Sequence, residues 1–168
     1  MKRLEISLNI LHYSIYKTHY NLHLFANKIN PFNLIHKLPF QKRRYEELGI
    51  DINKEINRAF ADKDSGLSVM VAGGVLFGVI FFFLFAITNF LINAINDAAS
   101  LSAGYFITFG LVSLIACYLF VFKKDKYLVY FKEFESWTKS ESRKYAWISF
   151  IFIVAVLIMF CVSLGWHR

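Results

Sequence analysis

The stretch "VMVAGGVLFGVIFFFLFAI", residues 69–87, carries no charge and decides the fold class. It belongs to a longer run, 66–92, in which only Ser68, Thr88 and Asn89 are polar. About 20 residues of α-helix are enough to cross the hydrocarbon core of a bilayer. The run therefore predicts a membrane-spanning helix, which we call span one.

Two further runs predict two more spans. Residues 103–122 and 145–164 are uncharged and long enough to cross the bilayer. The whole chain is 57% hydrophobic and 18% charged, whereas soluble domains usually carry about 25% charged residues. We therefore expect an all-α integral membrane protein, with three transmembrane helices in 65–168 and an amphipathic helical cytoplasmic module in 1–64.

The basic residues predict the orientation of the chain. Eleven of the 19 Lys and Arg residues precede residue 65, and seven lie in the loop 123–144. The loop 93–102 has none. Because basic segments stay on the cytoplasmic side, we expect an inner-membrane protein with a cytoplasmic N-terminus and a C-terminus on the opposite side. This distribution favours topology over nucleic-acid binding, so no nucleic-acid partner is expected. The N-terminus lacks an unbroken apolar h-region, so we expect no signal-peptide cleavage.

Residues 4–29 predict a long amphipathic helix. Apolar positions recur at alternating steps of four and three, as in a coiled-coil seam, and Asn30-Pro31 ends the pattern. About twelve polar or charged residues in the segment argue against a fourth span. We call this stripe the apolar seam; it consists of Leu4, Leu8, Leu11, Ile15, Thr18, Leu22, Phe25 and Ile29.

Two interpretations of the apolar seam remain open. A narrow seam favours packing against another helix, from a second copy or from the rest of the chain, whereas a broad basic-edged face is typical of helices that lie on the bilayer. Beside the seam runs a polar and aromatic stripe, which is typical of a hydrogen-bonding flank. Its two histidines at i, i+4 make only a weak metal site, so no metal or cofactor is expected. The stripe consists of His12, Tyr16, His19 and His23.

The remaining polar segments predict short helices. Residues 41–48 are expected to form a helix that ends at Gly49, and Asp51 is expected to cap a second helix that reaches Ala61. A third helix is expected over about 128–137. "TKSE", residues 138–141, has capping-box spacing and is expected to begin span three. Three basic residues are candidates for contact with lipid headgroups or, equally, for ion pairs with neighbouring glutamates: Lys42, Arg43 and Arg44.

Span one contains two features that are typical of helix association. Gly74 and Gly78 form a GxxxG pattern, which predicts either an oligomer interface or close packing within the chain. At the far end of the span, a polar stripe is a candidate for a subunit interface or a polar pore mouth, although such residues often only mark where a helix leaves the bilayer. It consists of Asn89, Asn93 and Asn96.

The chain lacks the sequence signatures of common active sites. It contains no GxSxG, no Walker lysine loop, no CxxC and no HExxH, and Asp62 and Asp64 are expected only to cap span one. We therefore expect a non-enzymatic assembly or scaffold subunit whose partners are membrane lipids and a second copy or another protein. A homo-oligomeric pore or membrane-perturbing effector is the alternative, and a small transporter or membrane enzyme is the second alternative.

Overall fold

The computed structural model describes residues 2–31, 35–36, 38–95 and 102–165. These residues form helices and connecting turns, with no strand among them, and three helices are long and apolar enough to cross a membrane. The expected all-α membrane fold is therefore confirmed. The helices are α1 Lys2–Ile29, α2 Pro39–Glu47, α3 Ile52–Ala61, α4 Leu67–Ile95, α5 Ala103–Cys117, α6 Lys126–Phe134 and α7 Lys139–Gly165.

The helix boundaries follow the capping signals of the sequence. Gly49, at φ 64°, ends α2 in the left-handed conformation that glycine adopts without strain. The Asp51 carboxylate accepts hydrogen bonds from the backbone N–H groups of Asn53 and Lys54 at the start of α3. At the start of α7, the N–H of Thr138 donates to the Glu141 carboxylate, and the N–H of Glu141 donates to the Thr138 hydroxyl. These three predicted signals are confirmed.

The turn before α4 differs from expectation. The Asp62 carboxylate accepts hydrogen bonds from the N–H of Asp64 at 3.0 Å and from the Ser65 hydroxyl at 2.8 Å. Within the described residues, no hydrogen bond joins Asp62 or Asp64 to the backbone of α4. The expectation that both carboxylates cap span one is wrong, because Asp62 is used to close the turn that precedes the span.

Span two ends in an irregular segment. After α5 the chain forms a π-helical turn, Tyr118–Phe122, and then a 3₁₀ turn, Lys123–Asp125. Lys124 and Asp125 both have positive φ, 59° and 52°, a conformation that costs a non-glycine residue of the order of 1 kcal/mol or more. The predicted end of span two, Phe122, coincides with the end of the π-helical turn, and α6 begins after this kink.

The chain divides into two compact units whose boundaries fall inside helices. Unit one is Met1–Ile15 together with Gly73–Arg168, and unit two is Tyr16–Ala72. In unit one, the membrane-spanning helices pack through aromatic rings. Phe85 of span one contacts Phe106 of span two and Phe160 of span three, with ring centroids 5.5 and 5.2 Å apart. In unit two, α3 packs on the second half of α1.

Candidate functional site

The first half of α1 turns a polar face toward α6 in unit one. Asn9 and His12 are fully buried, and Tyr13 is almost so. The expected aromatic flank of α1 is therefore buried at His12 and Tyr16, and the buried polar face begins before it, at Asn9. We call the whole stripe the polar register, because each of its members follows a residue of the apolar seam by one position. It consists of Glu5, Asn9, His12, Tyr16, His19 and His23.

Asn9 links α1 to the end of span two. Its Nδ2 donates to the carbonyl of Glu5 at 2.8 Å and to the carbonyl of Phe120 at 2.9 Å. Phe120 lies in the π-helical turn, where the regular i to i+4 pattern of backbone bonds is interrupted. The side chain of Asn9 therefore satisfies a backbone carbonyl at the point where span two changes its geometry.

An ion pair joins α1 to α6 one turn earlier. Lys126 Nζ lies 2.7 Å from Glu5 Oε2 and also donates to the carbonyl of Leu119 at 3.2 Å. The Tyr130 hydroxyl donates to the other Glu5 oxygen at 3.1 Å. The hydrogen bond from Lys126 lowers the pKa of the Glu5 carboxyl below its ordinary value, and this effect outweighs the opposing effect of partial burial.

Aromatic rings complete the contact between α1 and α6. The His12 ring lies among Phe122, Tyr127 and Phe131, with centroid distances of 5.4, 5.6 and 5.2 Å. Tyr13 packs on Phe131 and on Phe134. The first half of α1 is thus held by an ion pair, an amide bridge and a set of edge-to-face rings, contacts that together position one helix firmly against another.

In unit two, the second half of α1 uses the same polar register. The Tyr16 hydroxyl donates to the carbonyl of Ala61 at 2.8 Å. His19 Nδ1 lies 3.1 Å from the Ser68 hydroxyl, and His23 stacks on Phe60 with ring centroids 3.6 Å apart. His23 Nε2 is 3.2 Å from Asn57 Oδ1. The two histidines therefore hydrogen-bond to different side chains, Ser68 and Asn57, although both rings stack on Phe60. No group of three metal-binding side chains occurs in the part of the chain that the structure describes.

The apolar seam is mostly exposed. Leu11 is 5% exposed, and Leu8 and Ile15 are half-buried. Leu22, Phe25 and Ile29, in contrast, are 61%, 62% and 69% exposed. Every member of the polar register is thus buried or half-buried, while the second half of the seam faces outward.

Gly74 and Gly78 are open to the outside of the described fold. A Cβ added at Gly74 would meet no atom within 4 Å, and one added at Gly78 would meet only Phe82 of the same helix at 4.0 Å. Within α4, the glycine at a close approach is Gly73, where an added Cβ would lie 3.0 Å from the Phe122 ring. In this helix, close packing against the rest of the chain therefore uses Gly73, the neighbour of the GxxxG pair.

The polar stripe of span one lies largely inside unit one. Asn89 and Asn93 are buried, and Asn89 Nδ2 donates to the carbonyl of Ser163 in span three. Asn96 lies outside the described residues. Asn89 thus joins two spans of the same chain.

The three basic residues of α2 have different surroundings. Lys42 Nζ lies 3.6 Å from Glu46 Oε1, an exposed i, i+4 pair. Arg43 and Arg44 are exposed and form no ion pair with another residue that the structure describes. The two arginines line a shallow groove of about 630 Å³ together with Pro39, Phe40 and Glu47.

The contact between α1 and α6 was not found from the sequence. The heptad spacing of the expected aromatic flank continues toward the N-terminus through Asn9 and Glu5. Following this spacing back from His12 would have indicated one continuous polar face on α1. The partners of Asn9 and Glu5 outside α1 lie more than 100 residues away, and no local pattern identifies them. No known protein family, curated protein or solved structure matches this chain.

Proposed function

We propose that this protein is a non-enzymatic, membrane-embedded assembly subunit that binds another helix through the apolar seam of α1. One observation carries the proposal. The polar register of α1 is buried or half-buried against its own chain, while Leu22, Phe25 and Ile29 remain exposed. Exposed apolar side chains at coiled-coil spacing are typical of a helix that has a partner.

The GxxxG pair supports the proposal independently. Gly74 and Gly78 have open space around them, and small residues at this spacing let two helix backbones approach closely within a bilayer. Span one could then associate with a second copy while α1 binds outside the membrane. We propose a location in the inner membrane, with α1 on the cytoplasmic side, because basic residues flank the spans on that side.

Disulfide crosslinking of full-length protein tests the seam. Phe25→Cys, in a background of Cys117→Ala and Cys161→Ser, should give a crosslinked dimer under mild oxidation if a second copy is the partner. Lys28→Cys is the matched control, because Lys28 is exposed but lies off the seam. Equal crosslinking of the two variants would contradict the seam as the interface.

Substitution by aspartate extends the test to a different protein as the partner. Leu22→Asp and Phe25→Asp should each release the partner in a pull-down with mild detergent while leaving the fold intact, because an unpaired carboxylate in an apolar interface costs several kcal/mol. Leu11→Asp should destabilise the fold itself, since Leu11 is buried, and Asn21→Asp should be nearly silent. Retention of every partner by both seam variants would contradict the proposal.

A leakage assay distinguishes the assembly proposal from the alternative, a homo-oligomeric pore. Reconstituted vesicles should hold an ion gradient if the protein only assembles partners. Sustained conductance would overturn the assembly proposal. Asn89, a member of the polar stripe of span one, donates its side-chain N–H to Ser163 of the same chain. Asn89 therefore gives the pore alternative no specific support.

A further inference from the structure

The segment 38–50, which includes α2, exposes apolar and basic side chains side by side. Phe40 is 71% exposed, and Leu38, Leu48 and Ile50 are also exposed. No residue of α2 is buried. This short helix precedes the first membrane span and leaves its apolar side chains exposed. Such an exposed apolar patch is typical of a segment that binds another surface.

The basic residues of α2 differ in their availability. Lys42 forms an ion pair with Glu46. Phe40, Arg43 and Arg44 lie along one side of the helix, at i, i+3 and i+4. These three residues line the same groove. Two guanidinium groups without ion-pair partners among the described residues can each present paired N–H donors to a phosphate.

We propose that segment 38–50 binds the surface of an anionic bilayer, with Arg43 and Arg44 on lipid phosphates and Phe40 at the boundary of the acyl chains. Charge complementarity favours a lipid surface as the occupant, because the two arginines outweigh the single carboxylate of Glu47 at the groove. The combination of exposed aromatic and basic side chains is typical of helices that lie in the interface.

Covalent connection to the membrane favours the same occupant. Span one begins at Leu67, only 17 positions after Ile50, so α2 is tethered near a bilayer at high effective concentration. A weak interaction with headgroups is then sufficient for binding. This site is separate from the apolar seam of α1 and does not depend on the assembly proposal.

A fluorescent probe on full-length protein tests the site. A cysteine at Leu38, in the background without Cys117 and Cys161, carries an environment-sensitive dye in nanodiscs of phosphatidylcholine or of phosphatidylcholine with phosphatidylglycerol. We expect a blue-shifted emission and quenching by lipid-borne spin labels only in the anionic nanodiscs. High salt should reverse both effects, because headgroup attraction is screened.

Charge-removing variants assign the effect to particular residues. Arg43→Gln and Arg44→Gln should each lower the ratio of bound to free segment about fivefold. Lys42→Gln is the matched control and should have a smaller effect, since Lys42 already pairs with Glu46. The unfolding transition of each variant should match the parent, which shows that binding rather than folding has changed.

Three results would overturn the proposal. The first is an emission that is identical in the two kinds of nanodisc. The second is an equal effect of Lys42→Gln and the arginine variants, which would indicate general charge attraction without a site. The third is a blue shift that persists in lipid-free detergent and follows protein concentration, which would identify another protein copy as the occupant.

Discussion

Asn9 illustrates, at the scale of single residues, why a polar face of α1 lies inside the protein. A buried amide costs free energy unless it is hydrogen-bonded, and Asn9 Nδ2 has two carbonyl acceptors, those of Glu5 and Phe120. Glu5 likewise gains Lys126 and Tyr130 as donors. The directional bonds of the Asn9 Nδ2 group and the Glu5 carboxylate therefore fix the position of α1 against α6, which apolar contacts alone do less well because they have no preferred direction.

The Glu5–Lys126 pair predicts a pH dependence of stability. Because the pKa of Glu5 is lowered in the folded protein, its contribution is fully present above the ordinary value of 4.5 and is lost as the pH falls through the folded value. Glu5→Gln should therefore lower the free energy of unfolding by about 1 kcal/mol at neutral pH. The difference from the parent should shrink in acid.

Unfolding in detergent at a series of pH values checks this prediction. Glu133→Gln is the matched control, because Glu133 is exposed on the same helix, α6, as Lys126. A deficit of Glu5→Gln that is the same at neutral and acidic pH would show that the carboxylate charge is not what stabilises the contact between α1 and α6.

For the helices, the sequence predicted where each one begins and ends better than which of its faces is buried. Uncharged runs, the capping residue Asp51 and the terminating Gly49 act locally, so their consequences can be derived from neighbouring residues. Which face of α1 turns inward depends on α6, whose Lys126 lies 121 residues from Glu5. Periodicity alone favours the apolar seam as the packed face. It carries no information about the distant residues that contact the polar register.

Span one offers a comparison between neighbouring glycines. Gly73→Ile should destabilise the protein by about 1–3 kcal/mol, because its Cβ would already press on the Phe122 ring. Gly74→Ile combined with Gly78→Ile should leave the unfolding transition unchanged, since both positions are open. If the GxxxG face binds a second copy, this double variant should also lower the mass measured in detergent.

Unfolding and light scattering of the same samples separate the two roles. Loss of stability in the Gly74 and Gly78 double variant, equal to that of Gly73→Ile, would mean that this face packs within the chain. An unchanged mass with unchanged stability would remove the GxxxG face from the proposed interface and leave the α1 seam as its remaining part.

At the scale of the whole molecule, orientation is open to a direct test. The loop 123–144 contains seven basic residues and the loop 93–102 contains none, so we expect the first to be cytoplasmic. A cysteine at Ala98 should react with a membrane-impermeant maleimide on intact cells, in a background without Cys117 and Cys161. A cysteine at Ser136 should react only after the cells are opened. The reverse pattern of labelling would invert the topology.

The contact between α1 and α6 also determines when the protein matures during synthesis. Glu5 is translated 121 residues before Lys126, and at about 5–20 residues per second this separation corresponds to roughly 6–24 seconds. Span one is completed within that interval, while Asn9 and His12 still lack their final neighbours. The first half of α1 is therefore packed only after α6 has been synthesised, and a chain arrested before α6 would leave Glu5 and His12 without their neighbours on that helix.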